Sequence, residues 1–138
     1  MKRAIAIPGL LLMTLLAPFF VLGAERPPIV ITRPTIVAFF PPVNSDASDS
    51  DTNEALADFQ IYTARVRRPL RSRGIEFREL YVHSLRIRVG TSVSTFRPKV
   101  YVGYYFIAPG RKPRVEYGVH TDDELLEIAN EYFRNSSK

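Results

Sequence analysis

The stretch Arg97–Gly118, RPKVYVGYYFIAPGRKPRVEYG, limits the fold more than any other part of this chain. Val100-Tyr101-Val102 and Tyr104-Tyr105-Phe106-Ile107 are dense in β-branched and aromatic residues, the types that suit a pleated, half-buried surface. Ala108-Pro109-Gly110-Arg111-Lys112-Pro113 has the composition of a turn, with Pro presetting φ and Gly supplying the left-handed conformation. Arg114–Tyr117 returns as a second strand and Gly118 ends it. A helix start follows at once. Thr121-Asp122-Asp123-Glu124 spells a capping box, and Leu125, Leu126, Ile128, Ala129, Tyr132 and Phe133 make an apolar face.

Thr35-Ile36-Val37-Ala38-Phe39-Phe40 is apolar on both faces, as a central strand covered on each side would be, and Pro41-Pro42 ends it because neither residue can donate to a ladder. Asn44–Asn53 is polar and acidic, a loop leading to a cap at Asp51 or Thr52 with Glu54 in the first turn. Ala55, Leu56, Phe59, Tyr62, Thr63 and Val66 recur at helical spacing, and Pro69 is expected to kink the helix or confine it to about Asp51–Arg68. Ile75–Val82 reads as a strand. Leu85-Arg86-Ile87-Arg88-Val89 alternates strictly, three aliphatics inward and both arginines outward, and Val93–Phe96 could return from a turn at Gly90.

The first residues stand apart from this domain. Lys2 and Arg3 precede an apolar run from Ala4 to Leu22 that closes on Gly23-Ala24, the parts of a secretory signal cut after Gly23; an uncleaved anchor is the competing reading. The expected organisation is a signal segment over 1–23, an extended leader over 24–34 and one domain over 35–135. The destination is the periplasm or the exterior, with membrane contact only through the signal segment if it is uncleaved. The chain has no Cys, which excludes thiol chemistry, thiolate metal sites and disulfide stapling, so stability must come from packing.

The element order and the Pro98–Gly118 region resemble the thioredoxin-like superfamily. The resemblance runs from Ile29 onward and implies an α/β (α+β) domain with a mixed sheet of about four to five strands, closed by an antiparallel hairpin and a helix. Thr35–Phe40 would be the central strand and Pro98 would stand where that fold has its cis-proline. Gly110 would be the hairpin turn and Gly118 the glycine before the last helix. Redox-active members carry Cys-x-x-Cys just after the first strand, whereas here Pro41–Asn53 offers only Ser, Asp and Asn. The resemblance therefore implies a redox-inactive member.

Charge supplies the remaining functional hint. The net charge of +5 falls to +3 without Lys2 and Arg3, too little for nucleic acid to be an expected partner of an exported chain. Its distribution is uneven: Arg65–Arg114 holds 13 basic residues and only two acids, Glu76 and Glu79. Arg86, Arg88, Arg97, Lys99, Arg111 and Lys112 are the candidate partner-binding residues, suited to a protein or another anionic envelope component. The plainer account is an arginine-rich solvated surface. His83 and His120 have no ligand at a recognised metal spacing, Asp46, Asp49 and Asp51 lack the pattern of a calcium loop, and no phosphate loop or nucleophile elbow occurs. No catalytic residue and no cofactor is assigned. An exported binding or accessory module is expected first. An enzyme using His83 or His120 with nearby acids, or a structural part of an envelope assembly, is the alternative.

Overall fold

The computed structural model describes residues 26–40, 50–99 and 102–134, with the backbone alone at 50–52. In chain order the elements are β1 (Ile29–Ile31), β2 (Thr35–Phe40), α1 (Ser50–Ser72), β3 (Glu76–Tyr81), β4 (Leu85–Val89), β5 (Ser92–Phe96), β6 (Gly103–Ile107), β7 (Arg114–Tyr117) and α2 (Asp122–Arg134). The fold is mixed α+β, with two sheets and two helices. The segment read as a signal, Pro41-Pro42, the acidic stretch ahead of Ser50, and Val100-Tyr101 lie outside the described residues, as do the side chains of Asp51 and Thr52. No helix among the described residues is long and apolar enough to cross a membrane.

β2 is buried along its whole length, as a strand apolar on both faces must be. It is an inner strand of a four-stranded sheet ordered β3-β2-β6-β7, parallel to β3 and antiparallel to β6. Its alternate side chains serve two cores. Ile36, Ala38 and Phe40 pack with Phe59, Val66 and Leu70 of α1 and with Leu125, Ala129 and Tyr132 of α2. Val37 and Phe39 point the other way, onto Ile31, Leu85 and Ile87 of a second, three-stranded sheet ordered β1-β4-β5. Helices, the larger sheet and the smaller sheet are therefore stacked in that sequence. β4 keeps Leu85 and Ile87 inward and Arg86 and Arg88 outward, the expected alternation.

Three local outcomes differ from the expectations. Pro69 does not end α1, which continues to Ser72. The proline removes one helical donor near the C-terminus, where burial of Leu70 and a complete Schellman closure offset the loss. In that closure Ile75 N–H donates to Leu70 O at 3.1 Å and Gly74 N–H to Arg71 O at 3.0 Å, with Gly74 at φ 74°. Ile29–Ile31, within the stretch read as leader, is a strand paired in parallel with β4, because its apolar face completes the second core. Pro98 is buried, but its peptide bond is trans rather than cis, and β6 begins later, at Gly103.

The turn and the last helix form as expected. Arg111 N–H donates to Ala108 O at 3.2 Å across Pro109-Gly110, with Gly110 at φ 74°, the pattern of a type II turn. Thr121 N–H donates to the Glu124 carboxylate at 2.9 Å while Glu124 N–H donates to Thr121 Oγ1 at 3.4 Å. The bond from the Thr121 amide first, and then one with the Thr121 side chain, hold the Glu124 carboxyl below its ordinary range. Replacing Thr121 by Ala is expected to cost about 1 kcal/mol, read as a lower urea midpoint with unchanged slope.

Candidate binding site

The six basic residues singled out from the sequence do not form one face. Strand register separates them. Ile107, the last residue of β6, pairs with Thr35 at the start of β2, so the turn bearing Arg111 and Lys112 lies at that end of the larger sheet. Tyr81, which leads into β4, pairs with Phe40 at the other end of β2. Arg86 and Arg97 lie at this second end: Arg86 is opposite Thr95 in the β4–β5 pair, and Arg97 follows β5 directly. Arg88 is exposed farther along β4, between Val30 and Val93 in register. Lys99 N–H donates to the Tyr117 hydroxyl at 3.2 Å.

Arg111 and Lys112 have a structural task in the fold. The Arg111 guanidinium lies 5.1 Å from the Tyr132 ring centre, and the Tyr132 hydroxyl donates to Lys112 O at 3.1 Å. These contacts fasten the hairpin turn to α2.

Arg86 and Arg97 meet instead at a cavity of about 600 Å³, where they are joined by Arg26. Ser84 and Thr95 add hydroxyls to its lining. Ile29, Leu80, Val82 and Leu85 supply an apolar floor that draws on both sheets, so the cavity opens from the end of the second core. No carboxylate is among its described lining residues. Arg26 and Arg97 are exposed, and among the described residues neither forms an ion pair, whereas Arg86 has a further contact of its own. Pro98 is buried immediately beyond Arg97 and anchors the chain there.

A second arginine-bearing hollow of about 320 Å³ differs in its chemistry. Arg33, Arg67 and Arg71 line it together with Glu76. Glu76 pairs with Arg33 at 3.9 Å and with Arg78 at 2.6 Å, and Arg67 pairs with Glu79. Two of its three arginines are thus engaged by carboxylates, while Arg71 forms no ion pair among the described residues.

The Glu79 cluster was not foreseen from sequence. Its carboxylate accepts from Arg67, from the Tyr81 hydroxyl and, at 3.4 Å, from the fully buried Thr63 hydroxyl; Gln60 Nε2 donates to the Tyr81 oxygen at 3.1 Å. Burial first, and then the hydrogen bond to Glu79, push the Tyr81 phenol up. Every partner comes from α1 or β3, and the cluster holds the helix against the sheet edge.

The histidines divide the requirements of a general acid–base site between them. His83 lines a shallow hollow of about 200 Å³ with Arg26, Tyr81, Val82 and Ser84, with no carboxylate among those residues. His120 has a carboxylate, Glu124, 3.6 Å from Nδ1, but it lies against the Tyr104 ring and lines neither the main cavity nor that hollow. Among the described residues no three His, Asp or Glu side chains come together as metal ligands would.

No protein-family model, no curated protein and no solved structure matches this chain.

Proposed function

We propose that this chain is an exported, non-enzymatic binding or accessory protein that recognises an anionic envelope component through the Arg26–Arg86–Arg97 end. The observation that carries the reading is the convergence of three arginines on one cavity with no described carboxylate in its lining. Guanidinium groups are weakly hydrated and present forked donors, which suits them to carboxylate and phosphate oxygens.

The frame is read as a thioredoxin-like core. Support comes from the β3-β2-β6-β7 order, the parallel β2–β3 pair joined through α1, the antiparallel β6–β7 hairpin, and two helices sharing one face. Where that family has a helical connection, this chain places the β4–β5 hairpin. With no cysteine after β2, such a core would serve as a binding frame without thiol exchange.

The test compares charge reversal at the two ends of the larger sheet. Retention of the protein by an envelope extract at low ionic strength is expected to fall at least tenfold in Arg86→Glu/Arg97→Glu and to persist in Lys112→Glu. Raising salt should weaken retention of the parent. Equal loss in both variants, or no retention of the parent at low salt, would overturn the reading.

A further inference from the structure

The arginines account for the rim of the main cavity but not for its base. A bare inorganic anion would use the rim and leave Ile29, Leu80, Val82 and Leu85 against water. An acidic protein loop would bring many polar groups over that same floor, where they would lose hydration without gaining partners. The combination of cations at the mouth and aliphatic surface beneath fits a ligand with the same two parts.

We infer that the cavity binds a single-chain anionic amphiphile, with its carboxylate or phosphate head between Arg26 and Arg97 and its alkyl chain over Leu80, Val82 and Leu85. This rests on the reading of the basic end as an anion-binding surface and adds the chemical class of the ligand. Three features of the site support it. The volume, about 600 Å³, is in the range of small-molecule sites. Leu85 is buried while Ile29, Leu80 and Val82 are only partly so, which leaves apolar surface for a chain to cover beside a core that is already packed. Ser84 and Thr95 stand at the lining as further hydroxyl donors to a head group. The hollow at Arg33, Arg67 and Arg71 has Glu76 in its lining. Another, of about 330 Å³, sets Arg73 and Arg134 beside Ile75, Ala129 and Phe133, but it is about half the size and its Arg73 already donates to Asn130.

The test is calorimetric titration of the purified protein with acetate, hexanoate, octanoate and decanoate, each kept below its micelle-forming concentration. Decyl phosphate, decanol and decyltrimethylammonium serve as head-group arms. Affinity is expected to rise about twofold to fourfold per added methylene from hexanoate to decanoate, as alkyl burial predicts. Decanol and decyltrimethylammonium should bind at least tenfold more weakly than decanoate. Arg26→Gln/Arg97→Gln should lower decanoate affinity at least tenfold and leave decanol unchanged, while Val82→Ser should flatten the dependence on chain length. The ratio of decyl phosphate to decanoate assigns the preferred head, and either preference supports the inference. Acetate binding as tightly as decanoate would overturn it while leaving the anion-binding reading intact. Decanol matching decanoate would overturn it in favour of a merely apolar patch. Absence of binding by every amphiphile and by acetate would remove the inference, and loss of envelope retention would separately remove the reading beneath it.

Discussion

Gly103→Ala is expected to lower stability by at least about 3 kcal/mol, more than a single added methyl costs in most cores. Gly103 is the first residue of β6 and lies between Phe39 of β2 and Tyr117 of β7 in register. A Cβ at this position would come 2.3 Å from Glu116 O, 3.0 Å from Tyr117 Cα and 3.1 Å from Phe39 Cζ. The nearest obstacles are backbone, so rotamer changes cannot relieve them and the β6–β7 pair itself must part. The missing side chain has a use: over it the Phe39 and Tyr117 rings meet edge to face, 6.4 Å between centres. The midpoint of thermal unfolding should fall by roughly 10 °C or more for a domain of this size. Phe39→Leu should not rescue the variant, because the Glu116 carbonyl remains in place. A midpoint within about 3 °C of the parent would show that the strands separate more easily than this packing implies.

An alkaline loss of stability traceable to Tyr104 is the second large effect. The Tyr104 ring is fully buried beside Phe59, 5.8 Å between centres, and its hydroxyl accepts the His120 N–H at 3.5 Å. Burial, the main cause, pushes its pKa up to about 12 against an ordinary 10.0. The unfolded chain releases this proton near pH 10 while the folded chain keeps it to about 12. Between those values the unfolded state binds fewer protons, so rising pH favours unfolding. The Tyr104 contribution is intact below pH 10, declines by about 2–3 kcal/mol across the interval and is level above it. Tyr105 and Tyr132 are shifted the same way by burial and add to the loss. Urea midpoints at pH 9 and pH 11.5 should therefore differ more in the parent than in Tyr104→Phe. Equal differences would place the ionisation elsewhere.

The larger sheet was legible where one residue pattern admitted one placement. Thr35–Phe40 could bury its five apolar side chains only as a strand covered on both faces, and it is. Leu85–Val89 declared its two faces through strict alternation, and Thr121–Glu124 its cap through spacing. What remained hidden depended on contacts between distant segments. Three apolar residues at Ile29–Ile31 say nothing of a partner at Ile87, so a strand looked like leader, and Arg26 was passed over with it. Of the two outcomes expected at Pro69, the helix end near Arg68 does not occur, because burial of Leu70 overrides local propensity. Gly103 interrupts a run of strong β-formers, and an isolated strand glycine is a known mark of close backbone approach. Gln60, Thr63 and Arg67 follow helical spacing as a polar stripe, a signal that could have announced the Glu79 cluster.

The pairing of β1 with β4 has a thermodynamic consequence. β1 has only three residues and lies at an edge of the smaller sheet, the kind of segment from which local opening starts. Arg26 and Pro27 stand just before it in the cavity lining, while Thr95 and Arg97 come from the opposite edge strand or its exit. An occupant touching both sides spans the three strands, and its binding free energy becomes part of the local stability of β1. Linkage makes the effect reciprocal. A ligand at one hundred times its dissociation constant holds the docked strand by about 2.7 kcal/mol, and detachment of β1 dismantles one wall of the site. For a ligand of that kind, occupancy of the cavity and attachment of the N-terminal strand are coupled equilibria.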